Sequence, residues 1–380
     1  MKRLVLLGLT LGVAMLCAAQ QELSSRAAGA PRVNIDGTVT FTIDAPEAQW
    51  VKLHLDYQRD TLMNRDANGR WTFTTAALKP DVYRYNYIVD GVKVLDVNNV
   101  HMMRDVATVM NLLIVPGEQS DLYTVHDVPH GTVSAVWYNS PTLGTDRRMT
   151  IYTPPGYENS RQRYPVLYLL HGTGGDETAW LEQGRTAQIV DNLIASGQAQ
   201  PMIVVMPNGH VDDQAAVGFT SKGLDTPTFS HSQWMEGSME RSFSDITSYV
   251  EKNYRVSNLK RHHAIAGLSM GGFHALYISA NNPSEYGYVG LFSAAISSRS
   301  DSECDLYKDI EQKLKQQFRQ RVSLYWIGIG KDDFLREDNQ RFTDMLDRNR
   351  LRYTFYESDG GHEWRNWRLY LTQFVPLLFK

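Results

Sequence analysis

The stretch His263-Ala264-Ile265-Ala266-Gly267-Leu268-Ser269-Met270-Gly271-Gly272 decides how this chain is read. An apolar run ends at Ala266, the sequence turns through Gly-x-Ser-x-Gly, and a helical pattern opens at Gly272. Strand, sharp turn and helix form the setting in which this motif lifts a serine hydroxyl clear of its surroundings. The glycines are needed because the serine backbone is strained and the flanking strand and helix pass too close for a Cβ. An ordinary glycine–serine turn is the plainer reading, and the flanks argue against it.

Working outward, residues 164–170, 202–206, 263–266 and 324–327 are continuous apolar runs. Such runs mark strands buried on both faces, hence a mainly parallel sheet. Helical patterns lie between them at 186–195, 242–253, 272–280 and 336–348. The alternation predicts a three-layer α/β domain over 132–380. Residues 30–117 follow a different grammar. Val39, Phe41 and Ile43, then Val51, Leu53 and Leu55, then Tyr83, Tyr85 and Tyr87 recur with period two, and Asp36-Gly37, Asn68-Gly69 and Asp90-Gly91 supply turn dipeptides. That pattern predicts a small antiparallel β-sandwich. The polar segment 118–131, with Pro129, reads as the linker.

A serine nucleophile needs a base and a group that orients it, in the chain order serine, acid, histidine. His362 follows Gly360-Gly361 and a late strand, and is taken as the base. The acid is expected after the strand at 324–329, where Asp332 and Asp333 are adjacent; Asp333 is chosen, with Asp332 as runner-up. Asp359 shares the histidine's own loop and reads as a surface aspartate. An oxyanion hole needs two backbone N–H groups. Met270 supplies one, and the loop His171-Gly172-Thr173-Gly174-Gly175 supplies the other, with Thr173 first and Gly172 or Gly174 as alternatives. His171 reads as a residue that positions this loop.

The chain has 380 residues and a net charge of −4, so no basic field holds a polyanion and nucleic acid is a poor partner. The two cysteines, Cys17 and Cys304, exclude a disulfide-stapled scaffold, and no metal-ligand spacing or cofactor motif is present. Asp66-Ala67-Asn68-Gly69 has part of a calcium loop's pattern and reads as a hairpin turn. Met1-Lys2-Arg3, the apolar run 4–16 and the small Ala18 and Ala19 form an export signal, with cleavage expected after Ala19. Lipid attachment at Cys17 is the lesser alternative, because Leu16 precedes it. The expected location is the periplasm or outside the cell.

Four motifs in order, Tyr164-Pro-Val-Leu-Tyr-Leu-Leu-His-Gly-Thr-Gly-Gly, Pro201-Met-Ile-Val-Val-Met-Pro-Asn-Gly, Gly267-Leu-Ser-Met-Gly-Gly and Gly360-Gly-His-Glu-Trp, resemble the esterase D-like α/β hydrolases. Among these the chain looks most like carbohydrate esterase family 1, the feruloyl and acetyl-xylan esterases. The leading module, with Pro80-Asp-Val-Tyr-Arg-Tyr-Asn-Tyr-Ile-Val-Asp-Gly, resembles early-set immunoglobulin-like domains related to carbohydrate-binding module family 48. It departs at Leu95-Asp96-Val97-Asn98-Asn99-Val100, where such modules usually carry a proline-bounded turn. The resemblance implies Ser269, Asp333 and His362 as the triad and feruloylated or acetylated xylan, or its oligosaccharides, as substrate.

For the acyl group, the long segment 208–237 carries Phe219, Phe229 and Trp234 and reads as a pocket wall, with Trp180 and Trp364 as further candidates. Feruloyl hydrolysis is favoured, acetyl-xylan hydrolysis next. A siderophore esterase, a mycolyl-type acyltransferase and a non-catalytic carbohydrate-binding protein are the remaining classes. Trp50 and Trp71 are candidate sugar platforms of the β module, though tryptophans in a small sandwich are usually core.

Overall fold

The computed structural model describes residues 30–221, 223–230, 236–296 and 304–380. The expected export signal and Cys17 lie outside the described residues. The described residues divide into two compact units: one takes in those up to Lys79 with Tyr83–Met102 and Met110–Leu113, the other Pro80–Val82, Met103–Val109 and those from Ile114 to Lys380.

The second unit is organised by an eight-stranded sheet. Its strands are β1 (Thr132–Ser140), β2 (Thr145–Thr153), β3 (Val166–Leu170), β4 (Ile203–Pro207), β5 (His263–Leu268), β6 (Tyr288–Phe292), β7 (Leu324–Gly330) and β8 (Thr354–Ser358). They lie in the order β1-β2-β4-β3-β5-β6-β7-β8. Only β2 runs against its neighbours; from β4 to β8 every pairing is parallel. Every residue of β3, β4 and β6 is buried, as the continuous apolar runs require of strands covered on both faces. The register of β3 begins at Val166 because Pro165 has no N–H to give the ladder; its carbonyl accepts from Ile203 instead (2.9 Å).

The helices are α1 (Thr186–Ala195), α2 (Ser238–Asn253), α3 (Met270–Asn281), α4 (Ile310–Arg319), α5 (Arg336–Arg348) and α6 (Trp364–Phe374). On α5 Phe342 and Leu346 are buried one turn apart while the charged residues face out, the ordinary amphipathic arrangement. Helix α3 is different: it is buried from Met270 to Ala280. A helix apolar all round belongs in the centre, and this one carries the serine to the middle of the sheet. The strand order reverses at β3, with β4 on one side and β5 on the other. In open α/β sheets such a reversal leaves a crevice beyond the carboxyl ends of the strands.

Residues 118–131 do not behave as a linker. Tyr123 is fully buried in the second unit, its carbonyl accepts from Arg185 Nε (2.9 Å), and Asn192 Nδ2 donates to the carbonyls of Leu122 and Thr124. The polar composition suggested a tether; the one aromatic anchors it.

In the first unit, Val39–Asp44 pairs antiparallel with Arg70–Thr74, and Val51–Leu55 pairs antiparallel with Tyr85–Val89 in a second sheet. Trp71 is core, 5% exposed, with its indole N–H bonded to the Ala45 carbonyl. Asp66 forms a turn by accepting from the N–H groups of Asn68 and Arg70. The proline-free 95–100 loop is held by the fully buried Asn111, which accepts from Asp96 N–H (2.7 Å) and donates to the carbonyls of Asp96 and Asn99. Side-chain bonds there do what ring constraint does elsewhere.

Candidate active site

Ser269 sits between β5 and α3 with φ 52° and ψ −116°, a backbone conformation that costs a non-glycine residue about 1–3 kcal/mol. Its surroundings enforce it. Ser269 N–H donates to the Phe292 carbonyl (2.9 Å), and the Ser269 carbonyl accepts from Ala295 and Phe273. The two motif glycines are needed for close approach. A Cβ on Gly271 would stand 2.4 Å from the Leu170 carbonyl oxygen, and one on Gly267 would stand 2.4 Å from the Gly271 backbone.

The acid–base pair comes from the ends of β7 and β8. His362 Nδ1 lies 3.0 and 3.1 Å from the two carboxylate oxygens of Asp333, whose side chain has no solvent exposure. Asp333 also accepts from Leu335 N–H (2.9 Å), so the carboxylate is fixed on two sides. A carboxylate on Nδ1 selects the tautomer with its proton there and leaves Nε2 to accept. Asp332 is exposed and contributes its backbone instead, donating to the Gly360 carbonyl (3.0 Å) and tying the acid loop to the histidine loop. Asp359 is exposed and pairs with Lys331 (2.9 Å).

The loop after β3 meets the serine directly: a Cβ on Gly172 would lie 3.2 Å from the Cβ of Ser269. Gly174 N–H donates to His210 Nε2 (2.9 Å) and Gly175 N–H to the Gly172 carbonyl (3.1 Å). Gly174 is thereby spent on the loop itself, which leaves Thr173 and Gly172 to offer an N–H. His171 is 1% exposed and uses both ring nitrogens, Nδ1–H donating to the Gly172 carbonyl (2.8 Å) and Nε2 accepting from Gly209 N–H (2.7 Å). Burial pushes its pKa down to about 4, so the ring is neutral and braces two loops.

A layer of charge lies behind this loop that the sequence reading did not single out. Arg147, fully buried, gathers the carbonyls of Asn208, His210 and Asp213. Glu177 accepts from Ala216 N–H (2.9 Å) and Asn208 Nδ2 (3.3 Å) and stands 3.5 Å from Arg148. Burial outweighs these donors and pushes its pKa up to about 7. Burial also works against the Asp176 carboxylate, but its ion pair with Arg104 prevails and holds its pKa below the usual range. In the sequence, Arg147 and Arg148 stand in an otherwise half-apolar strand, which was the one available signal.

The aromatic candidates divide. Trp180 is 1% exposed, donates its indole N–H to the Leu170 carbonyl (2.8 Å) and packs edge-on against Phe292 and Trp364. It is core beneath the loop and has no face for a substrate. Trp364 is buried against Trp180 and Trp367. It is Trp367, not Trp364, that reaches the His362 ring, at 4.9 Å. Trp234 lies outside the described residues. Phe219 stacks on Arg148 (3.9 Å to the guanidinium). Phe229 is 67% exposed, and its ring lies 3.1 Å from the place a Cβ on Gly174 would take. Gly174 also lines a shallow open cleft whose further walls include Asp176, Ala216, Gly223 and Thr228. On the other side Phe334 is exposed next to the imidazole.

Strand order, the strained serine and the histidine–aspartate pair define an α/β hydrolase. The chain belongs to the esterase family described as "Putative esterase", whose model matches residues 140–378. The domain is a serine ester hydrolase. An endo-1,4-beta-xylanase/feruloyl esterase of Xylanibacter ruminicola is 30% identical over 92% of this chain and 46% of its own length. An acetyl esterase of Caldicellulosiruptor saccharolyticus is 25% identical over 54% of this chain and 80% of its own. The chain thus spans about half the length of the first of these relatives. Among solved structures, a ferulic acid esterase of Anaeromyces mucronatus in complex with ferulic acid is 26% identical, with TM-score 0.57 over 67% of this chain and 93% of that one. The enterobactin esterase of Shigella flexneri is 17% identical with TM-score 0.65 over 92% of this chain and 96% of that one, a likeness of fold. No helix among the described residues is long and apolar enough to cross a membrane.

Proposed function

We propose that the protein is an exported serine esterase that removes feruloyl groups from plant cell-wall xylan or its oligosaccharides. The observation that carries the acyl assignment is the exposed Phe229 ring standing against Gly174 of the third-strand loop, a glycine that also lines an open cleft. A planar hydroxycinnamoyl ring is suited by an exposed aromatic face; an acetyl group has no use for one. The feruloyl esterase relatives support the same reading. The basic start and apolar run of residues 1–16 support export, with the mature chain in the periplasm or outside the cell. An immunoglobulin-like identity for the first unit rests on its paired antiparallel sheets.

In this reading Ser269 Oγ attacks the ester carbonyl while its proton passes to His362 Nε2. Asp333 holds the Nδ1 proton in place and stabilises the imidazolium. The Met270 and Thr173 N–H groups take the oxyanion, each contributing about 3 kcal/mol to the transition state. The tetrahedral adduct collapses, His362 gives its proton to the departing sugar oxygen, and the acyl group stays on Ser269. Water, deprotonated by His362, then attacks the acyl-enzyme by the same route and releases the acid.

The acetyl esterase relative favours a second reading, acetyl-xylan hydrolysis at the same site. Comparing kcat/KM for methyl ferulate with that for acetylated xylan separates the two. Methyl ferulate is expected to be preferred by about tenfold or more. Release of acetate with methyl ferulate untouched would move the assignment to acetyl-xylan.

A further inference from the structure

Phe334 follows the buried Asp333 directly and is 75% exposed, the most exposed phenylalanine or tryptophan among the described residues. Its ring centroid lies 4.6 Å from that of the His362 imidazole, tilted by 50°. The other aromatic neighbour of that imidazole, Trp367, is 7% exposed and packs edge-on against Trp364, so it is part of the interior. Trp367 already walls the histidine from within. Phe334 is instead left in water beside the imidazole, where a bound ligand can reach its face.

The chemistry says which half of the ester that occupant is. In acyl transfer the base returns its proton to the leaving oxygen, so that oxygen must come within hydrogen-bond reach of Nε2. Whatever is bonded to the leaving oxygen then lies along the rim of the imidazole. The acyl half lies on the other side of the carbonyl carbon. We infer that Phe334 is the platform on which the leaving-group sugar stacks, setting selectivity for glycosyl over simple alkyl esters. The inference rests on the esterase reading. A sugar presents a face of C–H groups that suits an aromatic plane, and its edge hydroxyls need polar partners. Exposed charged pairs stand at the same ends of β7 and β8, Arg336 at the start of α5 with Glu357 on β8 (3.0 Å) and Lys331 with Asp359 (2.9 Å), and supply such partners. Apolar platform and charged rim are the composition a carbohydrate subsite requires.

The test uses one acyl group on two alcohols, methyl ferulate and a feruloylated arabinoxylo-oligosaccharide, and reads the ratio of their kcat/KM values. Wild type is expected to favour the sugar ester. Phe334→Ala should cut the ratio by about tenfold, through KM of the sugar ester, and Phe334→Trp should keep it within about twofold. Phe355→Ala, removing a half-exposed phenylalanine on β8, should leave the ratio unchanged. Because the Phe334 ring is exposed, the melting temperature of Phe334→Ala should stay within about 1 °C of wild type. A wild type that cleaves methyl ferulate without favouring the sugar ester, or a Phe334→Ala that loses equally on both, overturns the platform and leaves the esterase reading standing. A wild type that cleaves neither ferulate ester overturns the platform together with the feruloyl assignment.

Discussion

The acid–base side of the site and the 208–237 segment are built in opposite ways. The ends of β7 and β8 are joined by backbone bonds across the sheet, Lys331 N–H to the Ser358 carbonyl and Asp332 N–H to Gly360. Among the described residues of the long segment the backbone bonds include local turns, Asp213 to His210, Phe219 to Ala216 and Gly223 to Thr220, and beyond the Arg148 N–H to the Gln214 carbonyl (2.7 Å) its attachment draws on side chains of other elements. Arg147, Glu177 and His171 reach in from β2 and from the loop after β3 to hold it. The difference fits the roles proposed for the two regions. Proton transfer fails when groups are misplaced by an ångström, so its residues hang from the sheet. An acyl wall needs shape more than precision and is carried on a segment that substitution can remodel.

Removing the oriented carboxylate tests the rigid side most severely. Asp333→Asn should lower kcat about 10⁴-fold, because the amide favours the wrong histidine tautomer. Asp332→Asn, altering an exposed side chain whose backbone does the work, should stay within about twofold of wild type. Equal losses in the two variants would mean the acid has been misassigned. On the soft side, Phe229→Ala should raise KM for methyl ferulate about fivefold and leave an aryl acetate within about twofold. A matching loss on the acetate would place the ring in catalysis rather than in acyl recognition.

The smallest effect concerns pH. The Glu177 pKa is raised by burial to about 7 from an ordinary value of 4.5, so the folded state holds this proton more tightly than the unfolded chain does. Its contribution to stability is therefore full below about pH 4.5 and lost as pH rises towards 7. Glu177→Gln cannot titrate, and the fall in melting temperature between pH 5 and pH 8 should be about 2 °C smaller than in wild type. Parallel curves would show that Arg148 keeps Glu177 ionised throughout.

The same contrast governs what the sequence revealed. The strained turn at Ser269 was legible because Gly267 and Gly271 are dictated by backbone contact. Asp333 and His362 followed from the order in which strands present an acid and a base. The residues 118–131 were misread because one buried tyrosine outweighs a polar composition. Trp180 was misread for a related reason: a tryptophan just past a glycine loop looks like a pocket wall, and only the structure shows its N–H buried against the Leu170 carbonyl. Phe334 went unread because exposure is not written in a residue's identity. Arg147 and Glu177 carry charge into the interior against the usual pattern, so their partners became visible only once the loops were assembled around them.

The claim underlying all of this is that Ser269 forms the acyl-enzyme. It is tested most directly by the kcat of Ser269→Ala on the better of methyl ferulate and an aryl acetate. A loss of about 10⁵-fold or more is expected from removing the nucleophile. Turnover within about tenfold of wild type would contradict the account.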